Sequence, residues 1–329
     1  MKAIVCTRYG SPDVLQLTEV EKPVPTDGQV LVKVCAASPN LGDRHQLRSR
    51  PLLIRILSGN GLLRPKDPRL GADLAGRVEA VGRNVTQIQV GDEVFGTALG
   101  AFADYVCARE YRLVHKPANL SFEAAAAVPI AALTALQGLR DQGQIQPRQQ
   151  VLINGASGGV GTFAVQIAKT FGAEVTAVCS TRHVDQARSI GADQVIDYTQ
   201  DDFTKRRRTK KRQEYDLILG VNGYHPLAAY RRTLRPQGDV RHGRRVYGPH
   251  IPAMFQVMFL GRVTSRLGSK KTRFFIARIT QKDLEFVKEL LEAGKVVPVI
   301  DRCFPLRETA EAFRYLEAGH ANGKVVITV

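Results

Sequence analysis

The chain has 329 residues, with 47 Lys and Arg against 31 Asp and Glu and a formal net charge of +16. Its 44% hydrophobic and 24% charged residues exclude a disordered or fibrous chain, and its length suggests two domains. No run approaches the roughly 20 apolar residues of a membrane span, and MKAIVCTRYG turns polar too quickly for a secretory leader. Five scattered cysteines without a Cys-x-x-Cys pair imply free thiols in a reducing cytoplasm, not a disulfide framework or a clustered metal site.

In chain order, residues 2–7 read as a strand, and 30–34 (VLVKV) as a clearer one with Val30, Val32 and Val34 on one face. Pro12, Pro23, Pro25 and the Asp27-Gly28 turn signal argue against helix before residue 40. A short helix is expected near 51–57. Glycines at 71, 76, 82 and 91, with GDEVFG after them, punctuate short strands that turn sharply. The first third is therefore β-rich.

The character changes after Pro117. AAAAVPIAALTALQGL is a helical stretch, broken or restarted at Pro129. Residues 151–153 form an apolar run without alternation, as in a strand covered on both faces. Strands at 173–178, 194–196 and 215–219 and helices at 160–171 and 184–190 follow in alternation. That order signals a doubly wound parallel sheet. In the tail, 282–293 is an amphipathic helix with Leu284, Val287, Leu290 and Leu291 on one face and Gly294 as its stop. A helix over 308–319 and a strand over 324–329 close the chain.

The strongest chemical signal is VLINGASGGVGTFAVQIA. A strand ends at Asn154, the turn Gly155, Ala156, Ser157, Gly158 follows, and a helix opens over Gly159, Val160 and Gly161. In the Gly-x-Gly-x-x-Gly register Ala156 replaces the first glycine. Gly158 lets backbone approach a pyrophosphate, and Gly161 lets helix and strand pack closely. Unpaired amides and the helix dipole favour the phosphates. An NAD site places an acid at the end of the next strand. Here Cys179-Ser180-Thr181-Arg182-His183 contains none before Asp185, and Ser180 and Arg182 suit a 2′-phosphate, so NADPH is the expected cofactor.

The positive charge is concentrated. KRRRTKKR at 205–212 and the arginines of 231–245 carry twelve of the sixteen net charges. No aromatic residue is interleaved in 205–212 for base stacking, so the run reads as a solvated loop and nucleic acid is not the expected partner.

With these features assembled, the chain resembles the medium-chain dehydrogenase/reductase superfamily, in its zinc-independent quinone reductase and alkenal (enone) reductase branch. MKAIVCTRYGSPDVLQL, VKVCAASPNLGD, LGADLAG, GDEVFG, AAAVPIAALTALQGL, INGASGGVG and GKVVITV carry the resemblance. It implies an α/β fold in which a Rossmann doubly wound parallel sheet (121–264, NADP-binding) is inserted into a GroES-like β-rich catalytic domain (1–120 plus 265–329). Where the zinc-dependent branch has its metal ligands, this chain has Asn40, Ala72 and a position near Ile130. An amide, a methyl and an alkyl group build no tetrahedral zinc site, so no metal is expected.

The resemblance further implies hydride donation from NADPH to quinones or α,β-unsaturated carbonyls. Asn40 would be the catalytic hydrogen-bond donor. Thr134, Asn222 and Gly223 would lie beside the nicotinamide, and Tyr198 would flank the adenosine phosphate. Asp43 reads as structural. A cytoplasmic enzyme, without membrane attachment and with homodimerisation by analogy, completes the expectation.

One segment departs from the family pattern. Where relatives run into an apolar fifth strand, this chain has Arg235-Pro236-Gln237-Gly238 and then DVRHGRRVYG. A central strand holding Arg241, His242, Arg244 and Arg245 would bury charge, so either the strand is lost or displaced toward Val246 and Tyr247, or the segment has drifted from a working ancestor. The altered segment 239–247 motivates an alternative function, an NADP(H)-binding protein with little or no catalysis.

Overall fold

The computed structural model describes residues 1–48, 61, 64–205, 214–221, 225–242, 270–319 and 321–329. By internal contacts the chain divides into two units. One comprises Met1–Ile130, Ile279–Glu292 and Pro298–Val329, the other Ala131–Arg278 and Ala293–Val297.

The first unit begins with an antiparallel pair, β1 (Lys2–Cys6) and β2 (Leu15–Glu19). Then come β3 (Gln29–Ser38), α1 (Leu41–Arg48), β4 (Asp73–Val81), β5 (Glu93–Thr97), β6 (Tyr105–Arg109), β7 (Leu113–His115) and α2 (Phe122–Ala126). Val30, Val32 and Val34 of β3 join Ile4, Leu74, Phe102 and Phe313 in one apolar core, as their alternation requires. Ser121 caps α2, its hydroxyl accepting from Ala124 N at 3.2 Å.

Helix α3 (Pro129–Leu136) starts at its proline, where the missing N–H costs nothing, and continues as a π-helical turn over Gln137–Gln142. The second unit then runs through β8 (Gln150–Asn154), α4 (Gly159–Thr170), β9 (Glu174–Cys179), α5 (Val184–Ser189), β10 (Gln194–Asp197), β11 (Tyr215–Gly220), α6 (Leu227–Thr233), β12 (Leu234–His242) and β13 (Lys271–Phe274). Its six strands form one parallel sheet in the order β10-β9-β8-β11-β12-β13. Val151, Leu152 and Ile153 are wholly buried, as a doubly covered strand must be. The chain returns through α7 (Gln281–Glu292), β14 (Ile300–Pro305), α8 (Thr309–Glu317) and β15 (Lys324–Thr328). In the first unit the strands run β14-β15-β3-β4-β5-β7, with β6 on β3.

One local expectation lies outside the described residues and another is corrected. Helix α1 opens directly after residue 40, while 51–57 lies outside the described residues. Asp43 explains the start: its carboxylate accepts from Asn40 N at 2.7 Å, and the Asn40 carbonyl accepts from Asp43 N and Arg44 N at 3.1 and 3.3 Å. Arg44 and Arg48 then grip Glu317 of α8, Arg48 Nε at 2.7 Å. The correction is the fifth strand, which is neither lost nor displaced. Strand β12 pairs in parallel with β11 and β13, and Arg241 is buried within it. Asp239 makes this tolerable: two residues apart on a strand they share a face, and Arg241 Nη2 donates to Asp239 Oδ2 at 2.6 Å. Arg244, Arg245, Val246 and Tyr247 lie outside the described residues.

Candidate functional site

The glycine turn has the geometry its spacing implies. Gly155 holds φ +87°, a left-handed conformation natural only to glycine, and turns the chain away from β8. Gly158 is the N-cap of α4 and bears no capping side chain, so the first amides of the helix stay open to an anion. A Cβ on Gly161 would stand 2.1 Å from Gly155 O, so only glycine lets the helix lie this close to the turn. Beneath the turn Asn154 Nδ2 donates to Tyr230 Oη at 2.7 Å, both groups buried. Tyr230, absent from the sequence reading, therefore braces the end of β8 from α6.

At the end of β9, Ser180 is buried and precedes a 3₁₀ turn over Thr181–His183, while Arg182 is exposed and His183 buried. Tyr198 is exposed, and its N–H donates to Cys179 O at 3.0 Å, which sets it beside the strand end. The parallel register also places Asp197 opposite Cys179. Thr181 Oγ1 donates to Asp197 Oδ2 at 2.5 Å, and Thr199 donates through both N and Oγ1 to Oδ1, at 2.9 and 2.8 Å. The Thr181 hydroxyl bond, foremost, holds the Asp197 carboxyl below the ordinary range. Burial, with a contribution from the Asp197 charge, pushes the Cys179 thiol up to about 11, so it stays protonated. A carboxylate thus stands at this strand end after all, lent by the neighbouring strand.

The first unit holds a second polar assembly around Asn40. Lys324 Nζ, at the start of β15, donates to Asn40 Oδ1 at 2.8 Å and to Asp73 Oδ2 at 3.3 Å. Asn40 Nδ2 donates to Asp73 Oδ2 at 2.8 Å and to Ser38 O at 3.2 Å, and Ile130 N donates to Asp73 Oδ1 at 3.0 Å. An ammonium can only donate, so the Asn40 amide must present its oxygen to Lys324. Both amide hydrogens are then spent within the cluster, and Asn40 acts here as a brace, with no N–H left over for a substrate oxygen.

Asp43, fully buried beside the cluster, is raised to about 7, chiefly by burial and further by the Asp73 charge. Burial raises Asp73 as well, against the pull of Lys324, Asn40 and the Ile130 amide. Two carboxylates face one ammonium, and the proton that Asp43 holds below about pH 7 offsets the surplus negative charge.

The positions at which the resemblance seats metal ligands thus converge on Asp73, where the charge is carried by Lys324. An amide oxygen and a carboxylate already committed to an ammonium, with no thiolate or imidazole, do not fit a zinc ion. Among the described residues, no group of three or more His, Cys, Asp or Glu could hold a metal. Thr134 is half-buried on α3, and Asn222 and Gly223 lie outside the described residues. Of 205–212 only Lys205 is described, paired with Asp202 at 3.3 Å. No described helix is long and apolar enough to cross a membrane. Sequence reasoning missed Asp73, Lys324, Asp197 and Tyr230. The readable signal was a lysine heading the apolar run VVITV, a poor place for a charge that lacks a partner.

Comparison with known proteins agrees with this architecture. The profile of the alcohol dehydrogenase GroES-like domain matches residues 26–118, and that described as zinc-binding dehydrogenase matches 190–327. The mitochondrial NAD(P)H oxidoreductase RTN4IP1 of Bos taurus is 32% identical over 100% of this chain and 89% of its own. The 2-methylene-furan-3-one reductase of Solanum lycopersicum is 34% identical, covering 99% of this chain and 79% of its own. The solved quinone oxidoreductase from Coxiella burnetii superposes with a TM-score of 0.85 at 30% identity, covering 100% of this chain and 99% of that one.

Proposed function

The chain belongs to the medium-chain dehydrogenase/reductase superfamily, in its quinone and enone reductase branch, and from that premise we propose that this oxidoreductase is an NADPH-dependent, zinc-independent reductase of quinones or α,β-unsaturated carbonyls. The observation that carries the reading is the turn 155–161, which opens into a helix without a side-chain cap. The amides of Gly159, Val160 and Gly161 would receive the pyrophosphate, Ser180, Arg182 and Tyr198 would hold the adenosine end, and Thr134, Asn222 and Gly223 would border the nicotinamide. Bound there, the cofactor supplies a hydride equivalent.

The acceptor is activated by its own conjugation, so the protein need only position it and exclude competing reactions. No step passes through a metal. The charge a divalent ion would bring is supplied in part by Lys324, which keeps Asp73 and Asn40 fixed. Asn40 is thereby a positioning residue that joins β3, β4 and β15 at the start of α1. A small-molecule acceptor is the expected partner, and a cytoplasmic homodimer remains part of the proposal.

The test is NADPH oxidation by the purified chain with a panel of quinones and enones, with and without a strong chelator. Turnover of at least one acceptor, unchanged by the chelator, is expected. Tight NADPH binding without turnover of any acceptor would favour a binding protein, the reading that segment 239–247 motivates. Arg241 gives that second reading its one structural support, since it buries a charge in the sheet next to β11.

A further inference from the structure

We infer that Asp197 limits how strongly this protein discriminates between the phosphorylated and unphosphorylated nicotinamide dinucleotides, by turning the Thr181 hydroxyl into an acceptor at the ribose end of the site. The inference rests on the dinucleotide reading above. In a doubly wound fold the adenosine ribose lies at the end of the strand after the glycine turn, here β9, where an acid distinguishes the two cofactors by its own hydrogen bond. No acid ends β9. Parallel pairing instead brings Asp197 from β10 level with Cys179, the last residue of β9.

The protons can be followed individually. Thr181 and Thr199 each have one hydroxyl proton, and three short contacts compete for them: Thr181 to Asp197 at 2.5 Å, Thr199 to Asp197 at 2.8 Å, and the two hydroxyls to each other at 2.9 Å. A carboxylate can only accept, and charge-assisted bonds are the stronger, so both protons go to Asp197. Thr181 then has only lone pairs to offer a ligand. A ribose 2′-hydroxyl has a proton to donate to them; the oxygens of a 2′-phosphate are acceptors and meet acceptor against acceptor. The carboxylate charge opposes the phosphate as well, while Arg182 on the same turn favours it. Opposed effects of this kind leave a modest preference for NADPH, and NADH is taken as well.

Asp197→Asn isolates the effect with minimal change of shape. The Thr199 N–H donating to Oδ1 fixes which end of the new amide is oxygen, so its NH₂ faces Thr181 and Asp197 no longer claims that hydroxyl proton, which turns to the ligand in competition with Thr199 Oγ1 at 2.9 Å. The experiment is calorimetric titration of the full chain and the variant with 2′-phospho-ADP-ribose and with ADP-ribose, alongside kcat/KM for NADPH and NADH. The unaltered chain should bind both ligands within about tenfold of each other, and the variant should shift the ratio toward the phosphorylated one by about three- to tenfold. Thr181→Val, which removes the hydroxyl altogether, should weaken ADP-ribose more than its phosphorylated partner. An unchanged ratio in Asp197→Asn, or a shift toward ADP-ribose, with both ligands still binding, overturns the inference and leaves the dinucleotide reading intact. Binding of neither ligand by the unaltered chain overturns that reading itself.

Discussion

Two buried charge assemblies, one in each unit, solve the same problem differently. Around Asp73 both carboxylate oxygens, both amide hydrogens of Asn40 and the Lys324 ammonium are engaged, and the groups come from β4, β15, the first turn of α3 and the link between β3 and α1. In β12, Arg241 and Asp239 share one good bond, but Arg241 Nε and Nη1 and Asp239 Oδ1 find no partner among the described residues. Burial accordingly lowers the Arg241 pKa against the pull of Asp239. A buried charge is tolerated in either case; only a complete network also fixes geometry, and a half-satisfied one is a burden to the sheet.

Breaking the complete network should have the largest effect. Lys324→Met leaves Asp73 and Asp43 without their cation, and a loss of about 3–5 kcal/mol in unfolding free energy is expected by denaturant titration. A loss below about 1 kcal/mol would show that the cluster is not the coupled unit described.

The β12 pair should respond in the opposite sense. Replacing both groups, Asp239→Leu with Arg241→Met, should stabilise the chain by about 1–4 kcal/mol, whereas Asp239→Leu alone should destabilise it by leaving the guanidinium unpaired. Thermal unfolding of the single and double variants checks this directly. A double variant less stable than the single one would mean that the pair contributes more than its orphaned atoms suggest.

The third effect is a pH dependence carried by a single group. Asp43 has a folded pKa of about 7 against an ordinary value of 3.8, so between these values the folded chain binds the proton that the unfolded chain has released. Its contribution to stability is complete below about pH 4 and is lost as the pH rises toward 7. Asp43→Asn should flatten that part of the stability profile while keeping its acceptor for the Asn40 amide. An unaltered slope between these pH values would assign the titration to other groups.

Much of the architecture was legible in the residues. The glycine turn, the unalternating strand before it, the strand and helix order after it and the alternation of Val30, Val32 and Val34 are local patterns, and local patterns survive folding. The Asn40 cluster was not legible, because Lys324 and Asp73 lie 251 positions apart and meet only when β15 returns beside β3. Asp197 was missed for a related reason. A search for an acid at the end of one strand cannot see a carboxylate delivered by the register of the next. The fifth strand is different. Its arginines were read singly, although Asp239, two residues before Arg241 on the same face, was visible throughout.

The functional site stands on a dinucleotide resting against the first amides of α4, and Gly158→Asp tests this without endangering the helix. Aspartate is among the best N-cap residues, and the extended backbone at Gly158, φ −81° and ψ 171°, suits it. Its carboxylate would occupy the amides meant for the pyrophosphate. Equilibrium titration with NADPH, followed by nicotinamide fluorescence, should show saturable binding to the unaltered chain and a loss of at least about a hundredfold in the variant at unchanged thermal stability. Equal affinity in the two proteins, or no binding by the unaltered chain, would contradict the account.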